Sequence, residues 1–438
     1  MSPRLKMPYY NPEIWGGIEC TINRIKDEYS DQLSGTGHYS RHSDIDELAG
    51  LGIRALRYPL LWERHEPEKD SIIDWSWAES QLERIRRRGI TPVVGLLHHG
   101  SGPSFTDLTS LHFPEYFAAY AGKVAARFPW IEYYTPINEP LTTARFSGLY
   151  GVWYPHRADP LDFLTMLLNQ VKGTVLAMKA IRRFNREARL IQTEDLAKVH
   201  SSPELSYQAD FENHRRWLTF DLLCGKVDCF HPLWDYLLSI GITVEQLSFF
   251  TDNPCPPDIM GLNYYVTSER YLDSDIAKYP ADRHGGNGRH PYVDTEAVRV
   301  IRPAGMYRLL WEAWERYGLQ IAITEVHLNA APDEQIRWVK NIWDNACRAK
   351  EMGVDIRAVT VWALLGSVDW DSLLTRKEGH YESGVFDLSD NGLHMNALGY
   401  FIQSLAAGRE DEHAVPETNG WWAVTPDLEV TQHNTVHP

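Results

Sequence analysis

The chain has 438 residues, of which 43% are hydrophobic and 23% are charged, values close to those of ordinary globular proteins. This composition excludes a disordered chain and a coiled coil, and the length suits a single large α/β barrel. Acidic residues outnumber basic ones by 59 to 43, and the resulting net charge of −16 argues against nucleic acid and anionic membranes as partners.

Short apolar strands alternate with longer helical segments along the whole chain. Eight strands are predicted, in chain order, at Ile14–Glu19, Ile53–Tyr58, Thr91–Leu97, Ile131–Pro136, Arg189–Thr193, Asp258–Asn263, Leu319–Thr324 and Ile356–Ala363. Three of the predicted helices end in a glycine directly before the next strand, at Gly52, Gly89 and Gly318. This repetition indicates βα units with parallel strands.

Eight βα units predict a closed (β/α)8 TIM barrel within the α/β class. The alternative, a doubly wound open sheet, usually has a glycine-rich phosphate turn after its first strand. The chain contains neither G-x-G-x-x-G nor G-x-x-x-x-G-K-[ST]. We therefore predict one barrel over residues 1–409, with long loops at 267–300 and 366–385 after strands six and eight, and a tail or linker fragment over residues 410–438.

Export, membrane and metal signals are lacking in the sequence. The N-terminal segment has no apolar run of signal-peptide length, and no stretch of about 18 apolar residues occurs. Among the five cysteines, Cys224 and Cys229 form the one close pair, without a second pair to complete a zinc site. We predict reduced thiols in the cytoplasm, no metal and no cofactor. The oligomeric state is not specified by the sequence.

Polar side chains that follow the ends of barrel strands form the mouth in which such barrels build their sites. These positions carry carboxylates, amides and aromatic rings, namely Glu19, Asn23, Arg57, His98, His99, Asn138, Glu139, Glu194, Asp195, Asn263, Tyr264, Tyr265, Thr324, Glu325, Trp362, Asp369 and Trp370. This set suits a neutral, hydroxyl-rich ligand. His98 is predicted to be structural and to point away from His99, because neighbours on a strand face opposite sides.

Glu139 and Glu325 directly follow strands four and seven, which lie across the mouth from each other. Glycoside hydrolysis needs two carboxyl groups that flank the scissile bond, one protonated and one ionised. A separation of about 5–5.5 Å gives retention of configuration, and about 6.5–9.5 Å gives inversion. From position alone, a catalytic pair and two satisfied strand-end carboxylates both remain open.

Four short motifs follow one another along the predicted barrel: T-P-I-N-E-P ending at Pro140, D-I-M-G-L-N-Y-Y ending at Tyr265, I-T-E ending at Glu325, and V-W-A-L-L ending at Leu365. They resemble, in the same order, the motifs T-x-N-E-P, F-x-G-x-N-Y-Y, I-T-E-N-G and W-S-L-L of the family 1 glycoside hydrolases. These are retaining β-glucosidase-like enzymes built on the (β/α)8 barrel. The resemblance extends from Trp15 to Trp370.

The resemblance implies a retaining β-glycosidase that acts on a small carbohydrate substrate by double displacement. Glu139 would be the general acid and later the base, and Glu325 would be the nucleophile. Arg57 and Tyr265 would flank Glu325 and keep it ionised, and Asn138 would hold the sugar 2-hydroxyl. The sugar ring would be bound by Asn23, His99, Asn263, Asp369 and Trp370, with Trp362 as a stacking floor.

The chain departs from the family pattern at several sugar-facing positions. Asn23 replaces Gln and Asp369 replaces Glu, each one methylene shorter. Gly100 replaces a Trp, which is predicted to open the wall of the site, and Val326-His327 replaces Asn-Gly after the nucleophile. These changes leave the carboxylate pair intact and concern recognition of the sugar.

The resemblance implies a β-glucoside, galactoside or fucoside as substrate. Transfer to an alcohol acceptor instead of water is a close variant of the same chemistry. An alternative from another class is a catalytically weak or inactive barrel that binds carbohydrate. The retained pair of glutamates argues against it, since a binding module has no need of an activated carboxylate.

Overall fold

The computed structural model describes residues 11–196, 198–389, 392–409 and 420–423. Eight parallel strands close into a barrel in which each strand pairs with its neighbours in the chain, and the last pairs with the first. These strands are β1 (Glu13–Gly17), β2 (Ala55–Pro59), β3 (Thr91–His98), β4 (Tyr133–Asn138), β5 (Arg189–Asp195), β6 (Ile259–Asn263), β7 (Ile321–Val326) and β8 (Ile356–Val361). The predicted (β/α)8 barrel is confirmed.

Helices connect the strands and cover the outside of the barrel. Their bounds are Gln32–Gly35, Asp44–Ala49, Trp62–His65, Ser76–Arg87, Phe113–Arg127, Pro140–Ala144, Pro160–Ile181, Ser206–Arg215, Leu218–Leu223, Trp234–Ile240, Val244–Asp252, Gly305–Tyr317, Pro332–Glu351 and Ala397–Ala406. Gly89 and Gly318, which follow two of these helices, have φ values of 70° and 61°. This left-handed backbone is the conformation that the glycine stops predicted.

The fourth strand begins and ends two residues later than the sequence predicted. Ile131 lies in a turn, where its N–H donates to the carbonyl of Phe128. The strand continues to Asn138 because it pairs with β3 up to the register of His98 with Asn138. Asn138 therefore lies at the end of a regular strand, and Glu139 is the first residue after it.

The barrel interior changes from apolar to polar along its axis. Each strand contributes one side chain to an apolar layer at the bottom: Trp15, Ala55, Val93, Tyr133, Ile191, Ile259, Ala322 and Ala358. Two residues further along each strand, glycine and threonine dominate, and the one long side chain is that of Arg57. Since alternate residues face the same side, these small side chains leave room inside the barrel for the Arg57 guanidinium group.

The two long loops predicted after β6 and β8 contain short strands of their own. After β6, strands Arg270–Asp273, Gly285–Gly286 and Pro291–Glu296 join Val199–Ser201 in a four-stranded sheet. After β8, Ser367–Val368 pairs antiparallel with Tyr381–Glu382. Both loops thus have a defined backbone at the mouth of the barrel.

Of the predicted tail, the structure describes residues 420–423. The ring of Trp422 packs edge-on against that of Trp338 in the helix Pro332–Glu351, with the ring centroids 5.2 Å apart. Residues 1–10, 410–419 and 424–438 lie outside the described residues, so the predicted boundary at 409 remains a prediction. In the part of the chain that is described, no helix combines the length and apolar character needed to cross a membrane.

Candidate active site

The two predicted catalytic glutamates are both buried at the C-terminal mouth of the barrel, where they are 4% and 2% exposed. Glu139 follows β4 and has a left-handed backbone with a φ of 46°, which turns the chain into helix Pro140–Ala144. Glu325 lies within β7, where an irregularity in the register brings it opposite Asn263 of β6. Left-handed backbone in a residue other than glycine is a strain that concentrates at functional sites.

Both oxygens of Glu325 have a strong hydrogen-bond donor. Arg57 Nη1 donates to Oε1 at 2.8 Å, and Tyr265 Oη donates to Oε2 at 2.6 Å. Burial and the two glutamates raise the pKa of Tyr265 well above its ordinary value, so the phenol keeps the proton that it donates. One cation and one phenol thus hold an anionic carboxylate in a fixed orientation through charge-assisted bonds.

Glu139 has the opposite environment. Burial raises its pKa well above the ordinary value, and the negative charge of Glu325 raises it further. Its Oε1 accepts one hydrogen bond, from Asn263 Nδ2 at 2.5 Å. His99 Nε2 lies 3.8 Å from Oε2, but burial lowers the pKa of His99 to about 3. The contact therefore joins a neutral imidazole to a protonated carboxyl group and is not an ion pair.

Asn138 is positioned by hydrogen bonds, one of which comes from Arg57, the residue that also binds Glu325. Its Oδ1 accepts from Arg57 Nη2 and from Thr193 Oγ1, both at 2.7 Å. Its Nδ2 faces His98 Nε2 and His99 Nε2 at 3.2 and 3.3 Å. The amide oxygen is engaged by two donors and the two hydrogens of Nδ2 face two imidazoles, so a ligand would bind Nδ2 in place of one histidine.

The prediction that His98 points away from His99 is wrong. The two rings lie edge to face with centroids 4.9 Å apart, and both face Asn138. Simple alternation fails here because His99 lies just past the end of β3 with a φ of 52°. Such a departure from strand geometry is not visible in the sequence.

Glu19 was predicted to lie at the mouth but was given no role there, and the structure places it in the site. Its Oε2 accepts from Trp362 Nε1 at 3.1 Å, and its Oε1 accepts from the N–H of Thr21 at 2.9 Å. Burial raises the pKa of Glu19, and the charge of Glu325 contributes to this rise. A third carboxyl group therefore lies close enough to the nucleophile to interact with its charge.

Trp362 is held by contacts on several sides and is 3% exposed. Its ring stacks on His98 with centroids 5.4 Å apart and planes 7° apart, and the Arg57 guanidinium carbon lies 4.7 Å from its centre. A side chain at Gly17 would overlap the ring, so the glycine of β1 is required for this packing. The predicted role of Trp362 as a stacking floor remains a prediction.

Asp195 is the fourth carboxyl group of the mouth. It ends β5 opposite Asn263, and its Oδ1 is buried without a hydrogen-bond partner among the described residues. Burial raises its pKa to about 6, while the nearby Arg145 and Arg270 act in the other direction. The preceding residue, Glu194, faces the helices, where it accepts from the N–H of Leu141 at 2.7 Å. Asp195 is thus the member of this pair that belongs to the site.

Asn23, His99 and Trp370, which were predicted to bind the sugar, lie next to one another in the structure. Asn23 Nδ2 donates to the carbonyl of His99 at 3.3 Å, and the rings of His99 and Trp370 lie 5.7 Å apart. Asn23 Oδ1 and Trp370 Nε1 are buried and lack a partner among the described residues. Buried polar atoms are nearly always hydrogen-bonded, so these two are candidates for a contact with a ligand.

Asp369 has a role within its own loop. Its Oδ1 accepts from the backbone N–H groups of Glu378 and His380 at 3.2 and 2.8 Å, and its φ is 60°. This bonding closes the loop that carries Trp370. One oxygen of Asp369 is therefore committed to the fold, and Oδ2 is the atom left for the predicted contact with a sugar.

The prediction that Gly100 opens the wall of the site is wrong. A side chain at Gly100 would collide with Glu63, whose Oε1 accepts from the N–H of Gly102 at 3.1 Å. Burial raises the pKa of Glu63 to about 8, so the group that fills this space is a protonated carboxyl at neutral pH. The space of the missing side chain is occupied by Glu63 of the helix Trp62–His65.

The site therefore combines a buried carboxylic acid with a carboxylate that is anchored by Arg57 and Tyr265. The difference between their surroundings separates the proton donor from the anion. The pair can protonate a leaving oxygen on one side of a bond and attack carbon on the other. Neutral imidazole and amide groups beside the pair suit the hydroxyl groups of an uncharged ligand.

Comparison with known proteins gives consistent matches over most of the chain. A family model described as Glycosyl hydrolase family 1 matches residues 12–406. Beta-glucosidase 42 of Arabidopsis thaliana is 22% identical and aligns over 93% of this chain and 91% of its own. Beta-glucosidase A of Acetivibrio thermocellus is 23% identical over 82% and 84%.

The solved structures that resemble this chain include the beta-glucosidase from Thermotoga maritima in complex with cyclophellitol. The match has a TM-score of 0.74 at 17% identity and covers 92% of this chain and 98% of that chain. At this identity the likeness shows the barrel fold.

Proposed function

Since the chain belongs to glycosyl hydrolase family 1, we propose that it is a retaining β-glycosidase that works by double displacement through a glycosyl-enzyme intermediate. The observation that carries the proposal is the contrast between Glu139, protonated by burial, and Glu325, bound to Arg57 and Tyr265. Two carboxyl groups in these opposite states are what the reaction requires.

In the first step, a Glu325 oxygen forms a bond to the anomeric carbon while the bond from that carbon to the leaving oxygen breaks. Glu139 gives its proton to the leaving oxygen. In the second step, water attacks the same carbon, Glu139 takes a proton from the water, and the bond to Glu325 breaks. Two inversions at one carbon give net retention.

Asn138 is placed to act on the sugar during both steps. Arg57 and Thr193 hold its amide oxygen, so that Nδ2 has one fixed direction. A donor held in this way can bind the 2-hydroxyl in place of one of its two histidine contacts, and the new contact strengthens as positive charge develops on the ring. Because Arg57 also holds Glu325, a single guanidinium group aligns the nucleophile with this contact.

We propose a β-glucoside, galactoside or fucoside as the substrate. The unpartnered Asn23 Oδ1 and Trp370 Nε1 supply one acceptor and one donor for sugar hydroxyls, and the imidazole of His99 lies beside them. Burial keeps that imidazole neutral at physiological pH. The wall therefore has polar partners for an uncharged, hydroxylated ring.

The proposal is tested by trapping the intermediate with a 2-deoxy-2-fluoro β-glycosyl fluoride. The 2-fluorine slows both steps, and the fluoride leaving group lets the first step proceed, so a covalent adduct accumulates. Intact-mass spectrometry followed by peptide mapping is expected to locate the sugar on Glu325. A label on a different residue, or none with gluco, galacto and fuco reagents alike, would contradict the proposed mechanism.

Replacement of the nucleophile provides a second test. In Glu325→Ala, kcat is expected to fall by about 10⁴-fold or more, because the covalent route is lost. Added azide can occupy the vacated space and should restore turnover, with an α-glycosyl azide formed from a β-glycoside. The same treatment of Glu139→Ala should give a β-glycosyl azide, because the nucleophile is intact. Wild-type turnover of Glu325→Ala would remove Glu325 from the mechanism.

A further inference from the structure

We propose that Glu63 is a specificity-determining residue of the sugar site, and that its Oε2 donates a hydrogen bond to a hydroxyl group of the substrate. Asn23 Oδ1 would accept from the same hydroxyl. Glu63 lies outside the sequence motifs that indicated the site. The inference rests on the function proposed above, because it assigns a contact to the sugar of that reaction.

Glu63 reaches the site through the space beside Gly100. A Cβ atom on Gly100 would overlap Glu63 Oε1 and would lie 3.1 Å from the carbonyl oxygen of Ile22. Asn23 follows Ile22, and its Nδ2 donates to the carbonyl of His99, the residue before Gly100. The carboxyl group of Glu63 and the amide of Asn23 therefore both adjoin the backbone of His99 and Gly100.

Each of the two side chains has one atom that is bonded and one that is not. Glu63 Oε1 accepts from the N–H of Gly102 at 3.1 Å, whereas Oε2 is buried without a partner among the described residues. Asn23 Oδ1 is buried and unpartnered in the same way. Glu63 is 8% exposed and Asn23 is 1% exposed. Since buried polar atoms nearly always have a partner, two unsatisfied atoms beside one backbone segment point to a missing group.

The surroundings of Glu63 favour the protonated acid. Burial raises its pKa to about 8, the N–H of Gly102 acts in the other direction, and the charge of Asp31 raises the pKa further. The phenols of Tyr29 and Tyr120 also interact with Glu63, and burial raises their own pKa values. At neutral pH the carboxyl group thus holds a proton, and Oε2 carries it because Oε1 accepts from Gly102.

A hydroxyl group satisfies both unpartnered atoms at once. It is an acceptor for the O–H of Glu63 and a donor to Asn23 Oδ1, because a hydroxyl can act in both ways. An anion would meet the amide oxygen of Asn23, which is an acceptor, and a cation would meet the acidic hydrogen of Glu63. The contact concerns a hydroxyl other than the 2-hydroxyl, which is assigned to Asn138.

The contact is tested with p-nitrophenyl β-glycosides in which one hydroxyl other than the 2-hydroxyl is replaced by hydrogen. Glu63→Leu removes the donor and is expected to lower kcat/KM for the complete sugar about tenfold. For one of the deoxy substrates the same replacement should have little effect, because the hydroxyl that Glu63 binds is already absent. The exposed Glu68→Gln, just beyond the helix Trp62–His65, is the matched control and should behave as the wild type with every substrate.

The pH dependence is a readout that a structural role of Glu63 would not change. Above about pH 8 the wild-type acid loses its proton, so the hydroxyl must turn its own hydrogen toward the carboxylate and loses Asn23. The ratio of kcat/KM between the complete and the matching deoxy substrate should therefore fall. Glu63→Gln has an oxygen for Gly102 and an N–H donor at every pH, so its ratio should stay constant. Because both substrates are measured at the same pH, ionisation of Glu139 cancels in the ratio.

The pH comparison needs the glutamine variant alone and decides the question where Glu63→Leu does not fold. With an active wild type, equal effects of Glu63→Leu on all substrates, or a wild-type ratio that does not vary with pH, would overturn the proposal. The two unpartnered atoms would then be assigned to a buried water molecule. No turnover of any of these glycosides by the wild type would instead contradict the proposed function.

Discussion

Arg57 Nη1 donates to Glu325 Oε1 at 2.8 Å, although 268 residues separate them in the chain. The side chains are 6% and 3% exposed, so this ion pair lies inside the barrel, directly above the apolar layer. Closure of the barrel brings the ends of β2 and β7 to a single mouth and thereby makes the contact possible. In this family 1 glycoside hydrolase, the proposed nucleophile Glu325 is therefore bound by a residue that is distant in the chain and comes close only through closure of the barrel.

Removal of Arg57 should destabilise the fold through the charge that it leaves behind. We expect Arg57→Met to lower the free energy of unfolding by about 3–5 kcal/mol, because Glu325 becomes a buried charge without a partner. The double variant Arg57→Met/Glu325→Gln should recover part of this loss. Reversible urea unfolding of the wild type, Arg57→Met, Glu325→Gln and the double variant measures the interaction free energy between the two side chains. Two single losses that add within about 0.5 kcal/mol would show that the residues do not interact.

The raised pKa of Glu139 predicts the alkaline side of the pH profile. As pH rises through that pKa, the acid loses the proton that the leaving group needs, and kcat/KM should fall. Glu139→Gln keeps the oxygen that Asn263 binds, and it should lose about 10²–10⁴-fold in rate together with this alkaline limb. Aryl glycosides whose phenols leave without a proton serve as the control, since the first step, in which they glycosylate Glu325, should be little affected by Glu139→Gln. An unchanged alkaline limb in Glu139→Gln would assign it to another group.

Glu194 should make the stability of the folded chain decline between about pH 4.5 and 8. Burial raises its pKa from 4.5 to about 8, so the folded state holds a proton that the unfolded state releases across this range. Glu194→Gln retains an oxygen for Leu141 and Thr219 but has no proton to lose. The difference in unfolding free energy between about pH 5 and about pH 8 should therefore be smaller in this variant. Equal differences in the variant and the wild type, with the exposed Glu378→Gln as control, would contradict the assignment.

Trp370 and Trp153 allow the contribution of an indole N–H to substrate binding to be compared with its contribution to stability. Trp370 Nε1 has no partner among the described residues, whereas Trp153 Nε1 donates to the carbonyl of Leu373 at 2.8 Å. Trp370→Phe should therefore lower kcat/KM by about three- to tenfold through a lost sugar contact and leave the Tm unchanged. Trp153→Phe should lower stability by about 1 kcal/mol. Kinetics and thermal unfolding of both variants check this, and unchanged kcat/KM in Trp370→Phe would exclude the sugar contact.

Much of the fold could be predicted because the signals that determine it are local. Runs of apolar residues and glycine stops located all eight barrel strands to within a few residues. The order of strands followed from the alternation of strand and helix. Once the barrel is known, strand ends such as Asn138 and Asn263 must share one mouth. The structure places Asn138 beside Arg57 and Asn263 beside Glu139.

Other features of the site depend on backbone conformations that the sequence does not reveal. Alternation predicted opposite directions for His98 and His99, but the left-handed backbone of His99 brings its ring toward Asn138, which the His98 ring also faces. Gly100 suggested an open wall, yet Glu63 from the helix Trp62–His65 fills the space. A local backbone conformation overrode the rule in the first case, and packing of a side chain from another segment did so in the second.

The sequence by itself determined the barrel, the order of its strands and the two glutamates that its mouth presents, because periodicity and motif spacing act over a few residues. Only the tertiary structure decided which groups surround those glutamates. Glu19 bonds to Trp362, 343 residues away, and His327 meets Glu382 across two loops. Burial then sets the protonation of each group, and burial is a property of the closed barrel that no single segment carries.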